Sequence, residues 1–378
     1  MKLAWKYVQF YRLRSMVFVG ILSLTFALPF ISEKISQSLV DNVNRRTDST
    51  PVLITTRSGK IRQTLNSLFF VGNHDEHELP YGKVEEISEE SGLMIPMLIR
   101  HTTKQGPLVA TEIDYFYFRD SEVAEGNLFA IPGDIVIGSL VAESFGVKIG
   151  DQVKLQSNDI YDITKSAPLK LTVTGILAPT GSPDDHALFT SLKTIWILEG
   201  FLHSHADQDP YKEESEEGAT TYSKSLPIKQ EITEDNLLDF HYHSSIEELP
   251  VTHMVFQGDS HKDEVLLMDA VNLDGDLMAF RPRDAMEGVV NIILRVEQFI
   301  KTYHLFWSLC TLMMIAMIFG LIIQYRKEEF SILISLGASK NLLVLNITQL
   351  IAIYTGLATV FAVIWFYSVN YLLKAYLP

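Results

Sequence analysis

The chain has 378 residues, of which 47% are hydrophobic and 20% are charged, and its formal net charge is −15. Its mean hydropathy is positive, which is unusual for a soluble protein. The acidic balance argues against nucleic acid as a partner, because proteins that bind nucleic acid present clustered Lys and Arg. The only cysteine, Cys310, excludes a disulfide framework within the chain.

Three apolar runs predict transmembrane helices. The first run, "MVFVGILSLTFALPFI", predicts a helix over 15–32, and the second, "YHLFWSLCTLMMIAMIFGLII", predicts one over 301–324. The third run predicts a helix over 342–373, because it exceeds one span but is too short for two spans and a turn. We therefore expect three crossings.

The basic residues near these runs predict the orientation. Lys and Arg are more frequent on the cytoplasmic side of a membrane protein. They occur before the first run and between the second and third, at Lys2, Lys6, Arg12, Arg14, Arg326, Lys327 and Lys340. We expect segments 1–14 and 325–341 in the cytoplasm, with 33–300 and the C-terminus, 374–378, in the periplasm of a bacterial inner membrane. The alternative is a cleaved signal peptide, but the long basic N-terminal segment and the lack of an A-x-A site before Phe30 disfavour it.

Segment 33–300 predicts one large α+β periplasmic domain. It contains 44 Asp and Glu against 22 Lys and Arg. Apolar residues spaced like a helix predict an amphipathic stalk helix at each end of the domain. Between them we predict strands over 50–56, 92–100, 114–120, 170–177 and 251–258, and helices over 60–70, 138–147 and 261–272. Segment 206–230 is charged and has no apolar period, so it predicts a mobile acidic loop.

Histidine clusters in this domain suggest a metal site. His203 and His205, and likewise His241 and His243, would face the same side of an extended strand. Neutral imidazoles suit zinc or copper. The spacing matches no closed structural zinc pattern and no HExxH helix, so solvated loop histidines are the alternative.

No motif in the sequence indicates a catalytic site. There is no G-x-S-x-G elbow, no S-x-x-K and no P-loop, so the chain is not expected to hydrolyse ATP itself. "PDDHA" at 183–187 offers two carboxylates and an imidazole, but it follows "APTG" and favours a capped turn before a strand. The apolar runs contain no Asp, Glu, Lys or Arg at mid-depth, which disfavours a channel or proton-coupled carrier. We predict a non-catalytic membrane subunit.

The connection between the second and third runs is the most specific signal. Within the coupling segment (residues 325–341), Phe330, Leu333, Ile334 and Gly337 fall on one face of a short helix. Such a helix either lies on lipid or docks in a groove of another protein. We favour docking, with Phe330 and Leu333 as anchors and the charged Arg326, Lys327, Glu328 and Glu329 at its start.

"RKEEFSILISLGASKNLL" resembles the coupling segment of MacB/FtsX-type ABC transporter permeases, the mechanotransmission class. The matching residues include Glu329, Phe330, Leu333, Gly337 and Ser339, while Ser335 stands where those proteins often have a basic residue. Segments 125–155 and 171–194 resemble their periplasmic core domain. "DSTPVL" and "IYDITKSAPL" are similar to a less studied subgroup with three transmembrane helices, in which a fourth is missing or supplied by another subunit.

The resemblance implies a mechanism and partners. A separate cytoplasmic ATPase dimer, which binds ATP and magnesium, would act on two copies of this permease or on one copy paired with another permease subunit. The stalks would carry movement to the periplasmic domain for export, lipid or lipoprotein extraction, or envelope mechanotransmission. The further partners would be membrane lipid and a periplasmic protein or lipoprotein. The chain itself would need no cofactor. The rival function is an envelope metal-binding receptor or sensor that uses the histidine clusters for zinc or copper.

Overall fold

The computed structural model describes most of the chain. The described residues are 2–72, 78–87, 91–154, 170–202, 212–214, 220–222, 240, 245–325 and 327–376. They form two compact units. After the locations predicted from the sequence, we call residues 1–41 and 289–377 the membrane unit and Asn42–Gly288 the periplasmic unit.

Eleven α-helices occur among the described residues. They are α1 (Lys2–Phe10), α2 (Arg12–Asp48), α3 (Lys60–Leu68), α4 (Lys83–Ile87), α5 (Asp114–Phe118), α6 (Ser139–Phe145), α7 (Leu192–Leu198), α8 (His261–Leu273), α9 (Pro282–Tyr325), α10 (Lys327–Ser335) and α11 (Lys340–Tyr376). Three helical segments are long and apolar enough to cross a membrane, Arg12–Asp48, Pro282–Leu321 and Val344–Leu372. They overlap the three apolar runs of the sequence.

Ten strands of the periplasmic unit form one mixed sheet within the described part of the chain. The strands of the unit are β1 (Val52–Thr56), β2 (Leu79–Pro80), β3 (Gly92–Thr102), β4 (Pro107–Thr111), β5 (Val123–Gly126), β6 (Asp134–Ile137), β7 (Gln152–Lys154), β8 (Lys170–Leu177), β9 (Leu188–Ser191), β10 (Lys212–Glu214), β11 (Thr220–Tyr222), β12 (Pro250–Val251), β13 (His253–Gly258) and β14 (Leu277–Phe280). The main sheet has the order β14-β1-β13-β3-β4-β9-β6-β8-β5, with β7 paired to β8. The pairs β4–β9 and β6–β8 are parallel.

Both faces of this sheet are buried, and the sequence explains why. Along β1, Val52 and Ile54 lie in one apolar cluster and Leu53 lies in the cluster on the opposite face. Successive side chains of a strand point to opposite faces, so the continuous apolar run requires cover on both sides. The predicted α+β class is confirmed.

Most predicted elements form, but the strand predicted over 114–120 is wrong. Helix α5 occupies Asp114–Phe118, and its neighbouring residues Tyr115 and Phe116 are both buried. Two adjacent side chains cannot face the same side of a strand, but they can share one broad face of a helical turn. The aromatic content predicted a strand, and the packing of both rings into the core overrides that propensity.

The predicted mobile loop over 206–230 falls mostly outside the described residues. The described part is a short antiparallel pair, in which Lys212 is opposite Tyr222 and Glu214 is opposite Thr220.

The membrane unit is held together by apolar contacts and by a few polar bonds. A buried cluster joins α1, α2 and α11 through Ala4, Val19, Leu22, Leu350, Tyr354 and Ala358. The hydroxyls of Ser15 and Tyr354 are 2.8 Å apart and are buried. A hydrogen bond between two helices is worth about 0.6 kcal/mol in a membrane, so this bond fixes alignment more than it adds stability.

A three-charge group links α2 to α9 within the same unit. The Lys301 Nζ atom lies 2.9 Å from the Glu33 carboxylate and 2.8 Å from the Glu297 carboxylate. Glu33 follows the first apolar run and Lys301 precedes the second. The ion pairs therefore join the two helices next to their apolar runs.

Candidate coupling segment

Helix α10 occupies most of the coupling segment. It begins at Lys327 and ends at Ser335, and both Lys327 and Glu328 are exposed. Arg326 lies outside the described residues. The backbone of Glu329, Phe330 and Leu333 is helical, which places these residues on α10, but their side chains are not described.

Gly337 ends the helical segment for a conformational reason. Its φ is +95°, in the region that favours glycine. The Leu336 and Gly337 amides donate to the Ile332 and Ile334 carbonyls at 3.0 Å, which closes the last turn. A Cβ atom on Gly337 would meet nothing within 4 Å, so the turn, and not a close approach of another backbone, explains this glycine.

Ser339 starts the next helix. Its hydroxyl accepts a hydrogen bond from the Leu342 amide at 3.3 Å, and its carbonyl accepts from the same amide at 3.0 Å. A serine in this position satisfies an amide that has no partner within the helix. The sequence Leu-Gly-Ala-Ser-Lys therefore ends one helix and begins another within four residues, which sets the direction of α10 relative to α11.

The coupling segment exposes large apolar side chains. Ile332 is 61% exposed, Ile334 is 42% exposed and Leu336 is 80% exposed. Ile332 and Leu336 are four residues apart and share one side of the segment, whereas Ile334 lies on the side predicted for Phe330 and Leu333. Exposed apolar side chains on a short helix need cover, which either lipid or a partner protein can supply.

The predicted metal ligands lie outside the described residues. This applies to His203, His205, His241 and His243. Among the residues that are described, no group of three or more His, Cys, Asp or Glu side chains is placed to hold a metal ion. The metal site stays a prediction.

The "PDDHA" segment forms the predicted capped turn. Pro183–His186 is one turn of 3₁₀-helix, the Ser182 hydroxyl accepts from the Asp184 amide at 3.2 Å, and β9 follows. The Asp185 carboxylate accepts from the amides of Thr180 and Gly181 at 2.9 and 2.8 Å. Asp184 and Asp185 are both buried and both are occupied by internal bonds.

A buried polar cluster around Asp184 was not predicted. The Arg46 guanidinium, near the end of α2, donates to the two Asp184 carboxylate oxygens at 3.0 and 2.7 Å. It also donates to the Tyr115 hydroxyl at 2.7 Å, and that hydroxyl donates to Asp184 at 2.7 Å. Arg46 and Asp184 are 138 residues apart, so no local spacing in the sequence could reveal the pair.

The cluster holds its members in defined charge states. Burial alone would raise the pKa of Asp184, but the charge and hydrogen bonds of Arg46 outweigh it and lower that pKa. Burial would lower the pKa of Arg46, and the Asp184 carboxylate raises it instead. Burial raises the pKa of Tyr115 to about 12. At neutral pH the cluster is therefore an ion pair with a protonated phenol.

The sequence model of the MacB-like periplasmic core domain matches residues 16–216. The chain belongs to this family. The match spans segments 125–155 and 171–194, which resemble the periplasmic core domain, and the predicted MacB/FtsX-type ABC transporter permease is confirmed. MacB-like permeases are non-catalytic subunits. The family and the three apolar helices indicate an inner-membrane protein.

Solved structures of MacB-like periplasmic regions are similar to this chain. One is the extracellular domain of the noncanonic ABC-type transporter YknZ from Gram-positive bacteria, at 10% identity and a TM-score of 0.34, with 61% of this chain and 99% of that one covered. Another is the periplasmic region of MacB from Actinobacillus actinomycetemcomitans, at 9% identity and a TM-score of 0.36, with 66% and 98% covered. No curated protein matches the chain.

Proposed function

We propose that this MacB-like permease couples ATP hydrolysis by a separate cytoplasmic ATPase to movement of its periplasmic domain. The observation that carries the proposal is helix α10. It stands between two helices that are apolar enough to cross a membrane, and it exposes Ile332 and Ile334, with Leu336 exposed just after its end. A partner groove would cover these side chains, with Phe330 and Leu333 as the central anchors.

Charges at the start of α10 would orient the partner. Lys327 and Glu328 are exposed there, and Arg326 and Glu329 flank them in the sequence. Charges at the edge of a protein interface change the association rate and the orientation of the partner more than they change the affinity. Glu329 would accept hydrogen bonds from the ATPase, while Gly337 and Ser339 fix where α10 ends and α11 begins.

The helices α2 and α9 would carry the movement. Each contributes residues to both the membrane unit and the periplasmic unit, so they are the covalent connections between the two. The Lys301 ion pairs to Glu33 and Glu297 would make the two helices move together. ATP and magnesium would bind only in the ATPase dimer, which would engage two permease copies or this permease and a second one.

The work would be done outside the membrane on a target held by the periplasmic domain. Export, extraction of a lipid or lipoprotein, and mechanical activation of an envelope partner all fit a permease whose apolar runs contain no Asp, Glu, Lys or Arg. The common element of these three activities is movement of the outer domain driven from the cytoplasm.

Topology gives the first test, because coupling requires α10 in the cytoplasm. In a Cys310→Ser background, Lys193→Cys and Ser331→Cys place single thiols at exposed positions in the periplasmic unit and on α10. We expect a membrane-impermeant maleimide to label Lys193→Cys in cells with an intact inner membrane, and to label Ser331→Cys only after that membrane is broken. Labelling of Ser331→Cys in intact cells would contradict the proposal.

A further inference from the structure

Four side-chain hydrogen bonds of Arg46 hold the end of α2 in the periplasmic unit. The Arg46 guanidinium, which is buried, makes the two bonds to Asp184 and the bond to Tyr115, and its Nε atom donates to the Leu68 carbonyl at 3.0 Å. A guanidinium has five N–H donors, and four of them are used in this way. The bidentate pairing fixes the direction of the side chain as well as its position.

The residues after Arg46 are held as well. The Thr50 hydroxyl donates to the Arg46 carbonyl at 3.0 Å. Arg119 then donates to the Thr50 and Ser49 hydroxyls at 3.0 and 2.9 Å. The last turn of α2 and the link to β1 are therefore fixed to α5, on which Tyr115 lies and which Arg119 follows.

The cluster connects distant parts of the sheet. Helix α2 leads into β1, which is second in the sheet order, whereas Asp184 lies in the turn before β9, which is sixth. The same turn packs closely against the start of α6, because a Cβ atom on Gly138 would lie only 2.3 Å from the Asp184 carbonyl oxygen. Through Arg46, α2 contacts the half of the sheet that contains β9, β6, β8 and β5 without passing through β13, β3 and β4.

Helix α9 has a different attachment at its start. Arg283 lies 3.3 Å from Asp48, but both side chains are exposed to solvent, where ion pairs hold weakly. Met286 is buried, and apolar burial is not directional. Arg281, directly before α9, lies 3.0 Å from the His261 ring in an exposed contact. Among the described residues, buried and directional side-chain bonding therefore distinguishes the α2 attachment from that of α9.

We infer that Arg46 is a positioning residue that transmits movement of α2 to the β9–β6–β8–β5 half of the sheet. The inference rests on the proposed function, since it assumes that α2 is moved from the cytoplasm. It adds which helix drives the domain, and through which contact. Movement of one element is carried to another through packed side chains and through networks of hydrogen bonds and ion pairs between rigid elements, and the buried bidentate pair is a contact of this kind.

Hydrogen exchange on the full chain in lipid nanodiscs with its co-purified ATPase tests the inference. Exchange is compared without nucleotide and in a vanadate-trapped state, for segments 42–50 and 170–191. The variant Arg46→Lys keeps the charge and loses the bidentate geometry, and Arg45→Lys makes the same change at the exposed neighbour. Tyr115→Phe keeps the bidentate pair and removes only the hydroxyl beside it, so it is a control that should respond to trapping as the wild type does.

We expect trapping to change exchange in both segments for the wild type and for Arg45→Lys. In Arg46→Lys the change should persist in 42–50 and fall by about threefold or more in 170–191. A merely structural role would raise exchange without nucleotide and leave the nucleotide-dependent change in 170–191 intact, and that result would overturn the inference. If Arg46→Lys does not fold, the wild type decides: trapping that changes exchange in 42–50 but not in 170–191 would overturn the inference.

The proposed function and this inference fail in different ways. No nucleotide-dependent change in any segment of the wild type would remove the proposed function and the inference with it. Equal changes in the wild type and Arg46→Lys would overturn the inference alone and leave the coupling to the ATPase in place.

Discussion

Replacing Asp184 by alanine is expected to destabilise the periplasmic unit by about 3–5 kcal/mol, because removal of one partner from a buried ion pair leaves the other charge without compensation. Arg46 would keep its contacts to Tyr115 and to the Leu68 carbonyl, but its charge would stay buried. Pulse proteolysis of the full chain across a urea series measures the loss as a shift of the unfolding midpoint.

The matched control for this prediction is Arg45→Ala. Arg45 precedes Arg46 and is exposed, so its loss should change the free energy of unfolding by less than about 0.5 kcal/mol. If Asp184→Ala and Arg45→Ala shifted the midpoint equally, the buried pair would contribute nothing to the stability of the domain.

The same pair predicts an acid sensitivity with a definite sign. Because folding lowers the pKa of Asp184 below 3.8, the pair stabilises the folded state above about pH 4 and loses that contribution as the pH falls further. The variant Asp184→Asn lacks the titrating group. Its free energy of unfolding should therefore fall less steeply than that of the wild type below about pH 4, as followed by the same proteolysis assay.

Replacing Phe330 by aspartate is expected to cost about 2–4 kcal/mol of docking free energy, as removal of a central apolar anchor does at protein interfaces. This corresponds to a loss in affinity for the ATPase of roughly 30- to 1,000-fold. ATP hydrolysis by the ATPase should then no longer cause movement of the periplasmic domain. The measurement is the affinity of the purified ATPase for the permease in nanodiscs, with nucleotide-dependent hydrogen exchange of the outer domain as the second readout.

Ser331→Asp is the control for charge on the same helix. Ser331 is exposed and adjacent to Phe330, but it lies about 100° further round α10. We expect Ser331→Asp to retain an affinity within about tenfold of the wild type, because a rim substitution costs little. Equal affinity of the wild type and Phe330→Asp would leave α10 as a helix that lies on lipid.

Periodicity was sufficient to predict the membrane helices and most of the strands. The runs over 16–31 and 303–323 have a length and apolarity that only a membrane or a large core accommodates, and β1 has the apolar content of a strand buried on both faces. The coupling segment is proposed from its motif, and its role stays a prediction. Its Gly337 requires a positive φ, so the residue type and the backbone conformation agree.

Contacts between side chains that are far apart in the sequence could not be predicted from periodicity or motifs. In the sequence, Arg46 is one of two adjacent basic residues after the first apolar run, and Asp184 belongs to the predicted capped turn. Only the fold shows that they meet, because their contact depends on where the turn before β9 lies against α2 and α5. Helix α5 was missed for a related reason, since burial of both Tyr115 and Phe116 is a tertiary effect.

Site-specific photocrosslinking from position 330 tests the central claim most directly. A photoreactive amino acid at Phe330 of the full chain, activated in native membranes, should form a crosslink to a cytoplasmic protein that binds and hydrolyses ATP, and the same group at Lys193 should not. Crosslinks from position 330 to lipid alone, with none to an ATPase, would contradict the account.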